Sequence, residues 1–157
     1  MSFLIQWFYV LGLSLWIGGI VFFSFFTTPT LFINLPRDMA SQVVTVMFPR
    51  YYMLGYVCGG VMLVSTLIEA ILVRQLPLIR IVLIALMLGG SIYAGVVIRP
   101  QAHNLKIEMK ALEEGSERYQ TVKSRFDGMH RLSVSLNVAV LVLGLVLLGI
   151  LAFRLRL

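Results

Sequence analysis

The stretch "LSVSLNVAVLVLGLVLLGILAF", residues 132–153, runs 22 positions without a charged side chain. A bilayer core of roughly 30 Å is crossed by about 20 apolar residues in a helix, so this length predicts a membrane span. Three more blocks read the same way. Residues 1–36 carry no charge, Tyr51–Val73 carries Glu69 alone, and Ile81–Ile98 carries none. The runs do not alternate in polarity, and four strands could not close a barrel, so strands are excluded.

Composition agrees with this reading. Of 157 residues 59% are hydrophobic and 13% charged, too little polar surface for a soluble domain. The first block has no basic leading segment and is too long for the core of a cleavable signal, so it is read as a retained helix. The single cysteine, Cys58, sits inside the second block, which leaves no intramolecular disulfide and suits a small packing residue. The net charge of +6 does not call for nucleic acid, and no nucleic-acid motif is present. Basic residues beside membrane helices meet anionic headgroups and set topology.

The expected fold is all-α: one integral membrane four-helix bundle over residues 1–157, with spans of about 3–26, 51–73, 79–99 and 132–153. Both termini then share one side with the link "RQLPLIR", carrying Arg74, Arg80, Arg154 and Arg156. Loops 27–50 and 99–131 share the other side with Arg37, Arg50, Arg99, Lys106, Lys110, Arg118, Lys123, Arg125 and Arg131. The larger basic count places those loops in the cytoplasm, while charge density on the short link points the opposite way. Small residues four apart mark packing faces in every span: Ser14 and Gly18, Gly55 and Gly59, Ser91 and Gly95, Ser135 and Ala139. Trp16 falls mid-membrane, where it packs on a neighbour's glycines or lines a cavity. Glu69, near the end of the second span with Arg74 five residues on, is read as snorkelling or pairing at the interface.

Residues 100–131 are polar yet ordered. Leu105, Met109 and Leu112 form one apolar stripe; Tyr119, Val122, Phe126 and Met129 form another. Between them "EEGSE" (113–117) offers Gly115 to end one helix and Ser116 to cap the next. Folded about that turn, Leu112 meets Tyr119, Met109 meets Val122 and Leu105 meets Phe126. Helices 3 and 4 are therefore expected to extend beyond the bilayer as an antiparallel hairpin.

With the stripes as the a and d positions of heptads, Asn137, His130 and Arg99 fall at e, and Asp127 and His103 at b. "FDGMHRLSVSLN" (126–137) and "RPQAH" (99–103) then supply two halves of one polar cluster near the membrane boundary. The loop ending in "FPRYY" (48–52) returns Arg50, Tyr51 and Tyr52 to the same side. The candidate ligand or polar cluster is Arg50, Tyr51, Arg99, His103, Asp127, His130, Arg131 and Asn137. Three readings of it stay open. An interfacial network ties helices together, with Asp127 paired to Arg99 or Arg50. A metal site uses His103, Asp127 and His130, a set that suits a divalent zinc, copper or iron ion. Haem or quinone binding uses the histidines. There is no Ser/His/Asp order, phosphate loop or HExxH, so an enzyme of soluble type has no support.

"GLSLWIGGIVFF" (12–23), "LPR" (35–37) with "FPRYY", "RPQ" (99–101) and "FDGMHRLSVSLN" resemble the transmembrane protein 205-like family over nearly the whole chain. The resemblance implies four membrane helices with a polar segment before the last, association with tolerance to metal-containing drugs, and distant similarity to copper-resistance membrane proteins. The segment 100–131 is shorter than in eukaryotic relatives, which implies a compact bacterial form in the inner membrane. The expected function is binding or transport of a metal ion or small molecule. The alternatives are a structural or assembly membrane protein without ligand, and a haem- or quinone-binding redox protein. Expected partners are the lipid bilayer, a metal or small-molecule ligand and a second copy.

Overall fold

The computed structural model describes residues 3–154. It consists of four long helices and no strand among these residues. They are α1 (Phe3–Asn34), α2 (Arg37–Val73), α3 (Leu78–Lys110) and α4 (Glu117–Arg154), each long and apolar enough to cross a membrane. The protein is a multi-pass membrane protein. Arg156 of the basic tail lies outside the described residues.

The helices exceed what a crossing needs. At 1.5 Å per residue, 37 residues span about 55 Å, against roughly 30 Å of hydrocarbon. The α3–α4 hairpin forms as its stripes require. Val122 is buried, and Leu105, Met109, Leu112, Tyr119, Phe126 and Met129 are half-buried. Gly115 takes φ +98°, and the Tyr119 N–H donates to Ser116 Oγ at 3.2 Å, capping α4. Arg118 meets Glu108 across the hairpin at 3.3 Å.

The segment 27–50, expected as a loop, is helical on both sides of a two-residue link. Leu35 is extended at φ −121° and ψ 151°, as a residue before proline must be, and Pro36 stands at the start of α2. Three prolines lie inside the helices rather than ending them. Phe22–Thr27 and Tyr93–Ile98 are wide π turns, and Pro29 and Pro100 each follow two residues after one. A proline inside a helix lacks its N–H and presses on the carbonyl four residues back. Widening the preceding turn relieves that contact: Thr28 N–H donates to Phe23 O and Arg99 N–H to Ala94 O, each five residues back. Pro49 lies within α2 itself.

The core sits where α1 and α2 cross against α3 and α4. Leu13, Trp16, Met62, Ile84, Met87 and Leu147 are almost fully enclosed. In lipid, close backbone approach rather than water exclusion holds helices together. Trp16 lies across the Gly55–Gly59 pair: a Cβ on Gly55 would stand 2.9 Å from its Nε1, and one on Gly59 2.7 Å from its Cζ3. Ser14, Gly18, Ser135 and Ala139, expected as packing faces, are exposed instead.

Candidate site: a tyrosine–asparagine network at the base of the hairpins

Two π turns shape this region. The first turns Phe23 inward and presents Ser24 to α4; the second places Gly95 beside α2. A Cβ on Gly95 would stand 2.1 Å from Tyr56 Oη and 2.9 Å from Tyr52 Cγ, so the absence of a side chain there makes room for two rings. π turns recur at functional positions because they rephase the side chains that follow.

Tyr51, Tyr52 and Tyr56 of α2 fill the space. Tyr51 stacks on Phe23 with centroids 4.6 Å apart, and Tyr52 on Phe48 at 5.9 Å and Tyr56 at 6.4 Å. Tyr51 Oη donates to Asn137 Oδ1 at 2.5 Å, and Asn137 Nδ2 donates to Ser24 Oγ at 3.2 Å. One amide on α4 thereby fastens α1 and α2. Tyr52 Oη lies 3.5 Å from Ser133 Oγ, also on α4, and Tyr56 Oη donates to the Ser91 carbonyl of α3 at 3.4 Å. All four helices meet in this layer.

A sequence profile described as a domain of unknown function, DUF4149, matches residues 11–111. The chain belongs to the DUF4149 family. The DUF4149 match takes in Ser24, the three tyrosines, Ser91 and Arg99 and ends before α4. A relative from Aquifex aeolicus (strain VF5), described as an uncharacterized protein, is 30% identical over 142 residues, 90% of this chain and 92% of its own. No solved structure matches.

In this DUF4149 chain the expected cluster divides. Tyr51 and Asn137 are bonded to each other in the network, and Arg99 is half-buried. Arg50, His103, Asp127, His130 and Arg131 are exposed. Asp127 forms no ion pair with Arg99 or Arg50: among the described residues the ion pairs are Arg80–Glu69 and Arg118–Glu108. His130 stacks along Phe126 on its own helix at 6.5 Å, while His103 lines a groove facing α2. No group of three or more His, Cys, Asp or Glu among the described residues is placed to hold a metal, so His103, Asp127 and His130 are not assembled as a ligand set. The physical reason is depth along α4. Ser133 and Asn137, four residues apart, reach the four-helix layer, whereas Asp127, His130 and Arg131 lie nearer the hairpin tip and are exposed.

Ser24, Tyr56 and Ser133 were not singled out by sequence, and Ser91 only as half of the Ser91–Gly95 packing pair. Spacing alone marks Ser133, one turn from Asn137; Ser24 becomes legible only once the π turn is placed. Glu69 pairs not with Arg74 but with Arg80 of α3, whose Nη1 lies 2.8 Å from Glu69 Oε2. Both side chains are largely enclosed, and the Arg80 guanidinium sits 5.4 Å from the centre of the Tyr9 ring. Arg74 instead closes α2 in a left-handed conformation at φ 54°.

Proposed function

We propose that this protein is a membrane-embedded assembly module. On this reading its bundle holds two helical hairpins outside the hydrocarbon layer, and the tyrosine–asparagine network is the fastener at their base. The supporting observation is that both ends of the Asn137 amide are engaged within the chain, by Tyr51 and Ser24. Consistent with this, no buried side-chain nitrogen or oxygen among the described residues lacks a hydrogen-bond partner. A transport site keeps polar groups open toward its cargo; here they are spent on neighbouring helices. The nine basic residues beside the hairpins support a cytoplasmic placement, and the compact form supports the bacterial inner membrane.

The test pairs stability with metal titration in mild detergent. Asn137→Leu is expected to lower stability by about 1–3 kcal/mol, because it strands two hydroxyls. Zinc and copper(II) are expected to show no saturable binding to wild type. Saturable binding that disappears in His130→Ala would overturn the reading.

The resemblance to the transmembrane protein 205-like family supports a second reading, binding or transport of a small molecule. Its specific observation is the pair of open grooves along the hairpins, one between α3 and α4 beside Arg125 and one between α2 and α3 beside His103. Its metal version would need His103, Asp127 and His130 to converge, and they do not form such a group.

A further inference from the structure

The groove between α2 and α3 takes no part in the tyrosine–asparagine network. It encloses about 290 Å³, and its polar lining is Gln42 and Thr45 from α2 with His103, Lys106 and Lys110 from α3. The three α3 positions are spaced three and four, so one helix face carries an imidazole and two ammonium groups. Lys106 Nζ donates to Ser41 Oγ. An ammonium has three N–H donors, so two remain for a further acceptor.

The charge balance of the groove is incomplete. Burial and then the Lys110 charge hold the Lys106 ammonium below its ordinary pKa, and the Asp38 carboxylate partly offsets this. Neither lysine is in an ion pair among the described residues. Like charges four residues apart destabilise a helix, so an anion bridging them would stabilise this one.

Depth supplies the second constraint. The apolar run of α3 ends at Ile98. From Arg99 the helix rises about 6 Å to His103 and about 16 Å to Lys110. The headgroup layer occupies roughly 5–7 Å on each side of the hydrocarbon. The inner end of the groove at His103 thus reaches the level of lipid phosphates, Lys106 at about 10 Å stands within a side chain's length of it, and the outer end at Lys110 opens to water.

We propose that this groove binds a phosphate-bearing anion, with Lys106 and Lys110 as the charged donors and Gln42 as the neutral one. The phosphate belongs either to a lipid headgroup at the inner end or to a free molecule entering from water. Phosphate fits better than carboxylate because its three acceptor oxygens can meet donors from both helices at once. Lysine serves phosphate as a point charge.

The experiment uses the full chain in mild detergent. Thermal protection and native mass spectrometry are recorded with inorganic phosphate, with short-chain phosphatidic acid, and with phosphatidylcholine as the zwitterionic control. Protection by phosphatidic acid beyond phosphatidylcholine, without an effect of inorganic phosphate, supports the lipid source. Protection by inorganic phosphate as well supports a free phosphate. In either case Lys106→Gln/Lys110→Gln is expected to weaken apparent affinity by roughly tenfold or more. Lys110→Gln alone, at an exposed position, is expected to weaken it in the same direction, and Arg125→Gln in the neighbouring groove to leave it unchanged. Absence of protection by both anionic probes, or equal affinity of wild type and Lys110→Gln, would overturn the proposal.

Discussion

Tyr51 and Asn137 lie 86 residues apart in sequence, yet the tyrosine hydroxyl donates directly to the asparagine carbonyl. The bond joins α2 to α4 at the level where the bundle gives way to the hairpins. It is flanked by Phe23 on one side of the ring and by Ser24 at the other end of the amide. A hydrogen bond in a water-poor layer stabilises mainly because its absence is costly. That cost gives the position of α4 against α1 and α2 a defined register.

The Glu69–Arg80 pair is the second polar tie, on the opposite side of the membrane from the hairpins. Removing one partner leaves an enclosed charge uncompensated, so Glu69→Leu is expected to cost about 3–5 kcal/mol. Glu69→Leu with Arg80→Met is expected to recover most of that loss, because no charge is stranded. Unfolding midpoints of the three proteins in one detergent check the order. A double variant no more stable than Glu69→Leu would count against the pair.

Adjacent glycines on α2 offer a sharper packing test. A Cβ on Gly59 would stand 2.4 Å from Leu88 Cδ2 and 2.7 Å from Trp16 Cζ3, while one on Gly60 meets nothing within 4 Å. Gly59→Ala is therefore expected to destabilise by roughly 1–3 kcal/mol through overpacking. Gly60→Ala is expected to be neutral or to gain up to about 1 kcal/mol from helix propensity. Thermal unfolding of both variants checks the contrast, and equal effects would show that Trp16 and Leu88 do not pack against Gly59.

The exposed polar residues before the last span should be dispensable for folding. His103→Ala, Asp127→Asn and His130→Ala are each expected to shift stability by less than about 0.5 kcal/mol. Isothermal titration with zinc is expected to give the same trace for each as for wild type. A stability loss comparable to that of Asn137→Leu would place the variant residue inside a network that the structure does not contain.

The four spans are legible because charge-free runs of that length have no other stable home. The α3–α4 hairpin is legible because its stripes keep helical spacing through Leu105, Met109 and Leu112 and back through Tyr119, Val122 and Phe126. The matching extension of α1 and α2 lies in the segment 27–50, expected as a loop, which holds Pro29, Pro36 and Pro49. Only Pro36 stands at a break; a π turn accommodates Pro29. The site is legible in part for the same reason. Tyr51 and Asn137 stand out as polar groups at span ends, but Ser24 faces Asn137 only after that turn rephases α1. Asp127, His130 and Arg131 share a segment with Asn137, and heptad lettering placed Asp127 and His130 on the same flank. Their exposure follows from lying one to three turns nearer the hairpin tip, where α4 faces α3 alone. The partner of Glu69 depends on the short link 74–77, which returns Arg80 beside it while Arg74 turns away to end the helix.

The central claim is that Tyr51 and Asn137 stabilise the bundle through each other. A double-mutant cycle with Tyr51→Phe, Asn137→Leu and the combination, read by reversible unfolding in one detergent or bicelle, measures this directly. Interhelical hydrogen bonds in membrane proteins couple by roughly 0.5–2 kcal/mol. The account predicts a coupling in that range, with the combined variant losing less stability than the two single losses added. Strict additivity, with each substitution acting as though the other residue were absent, would contradict it.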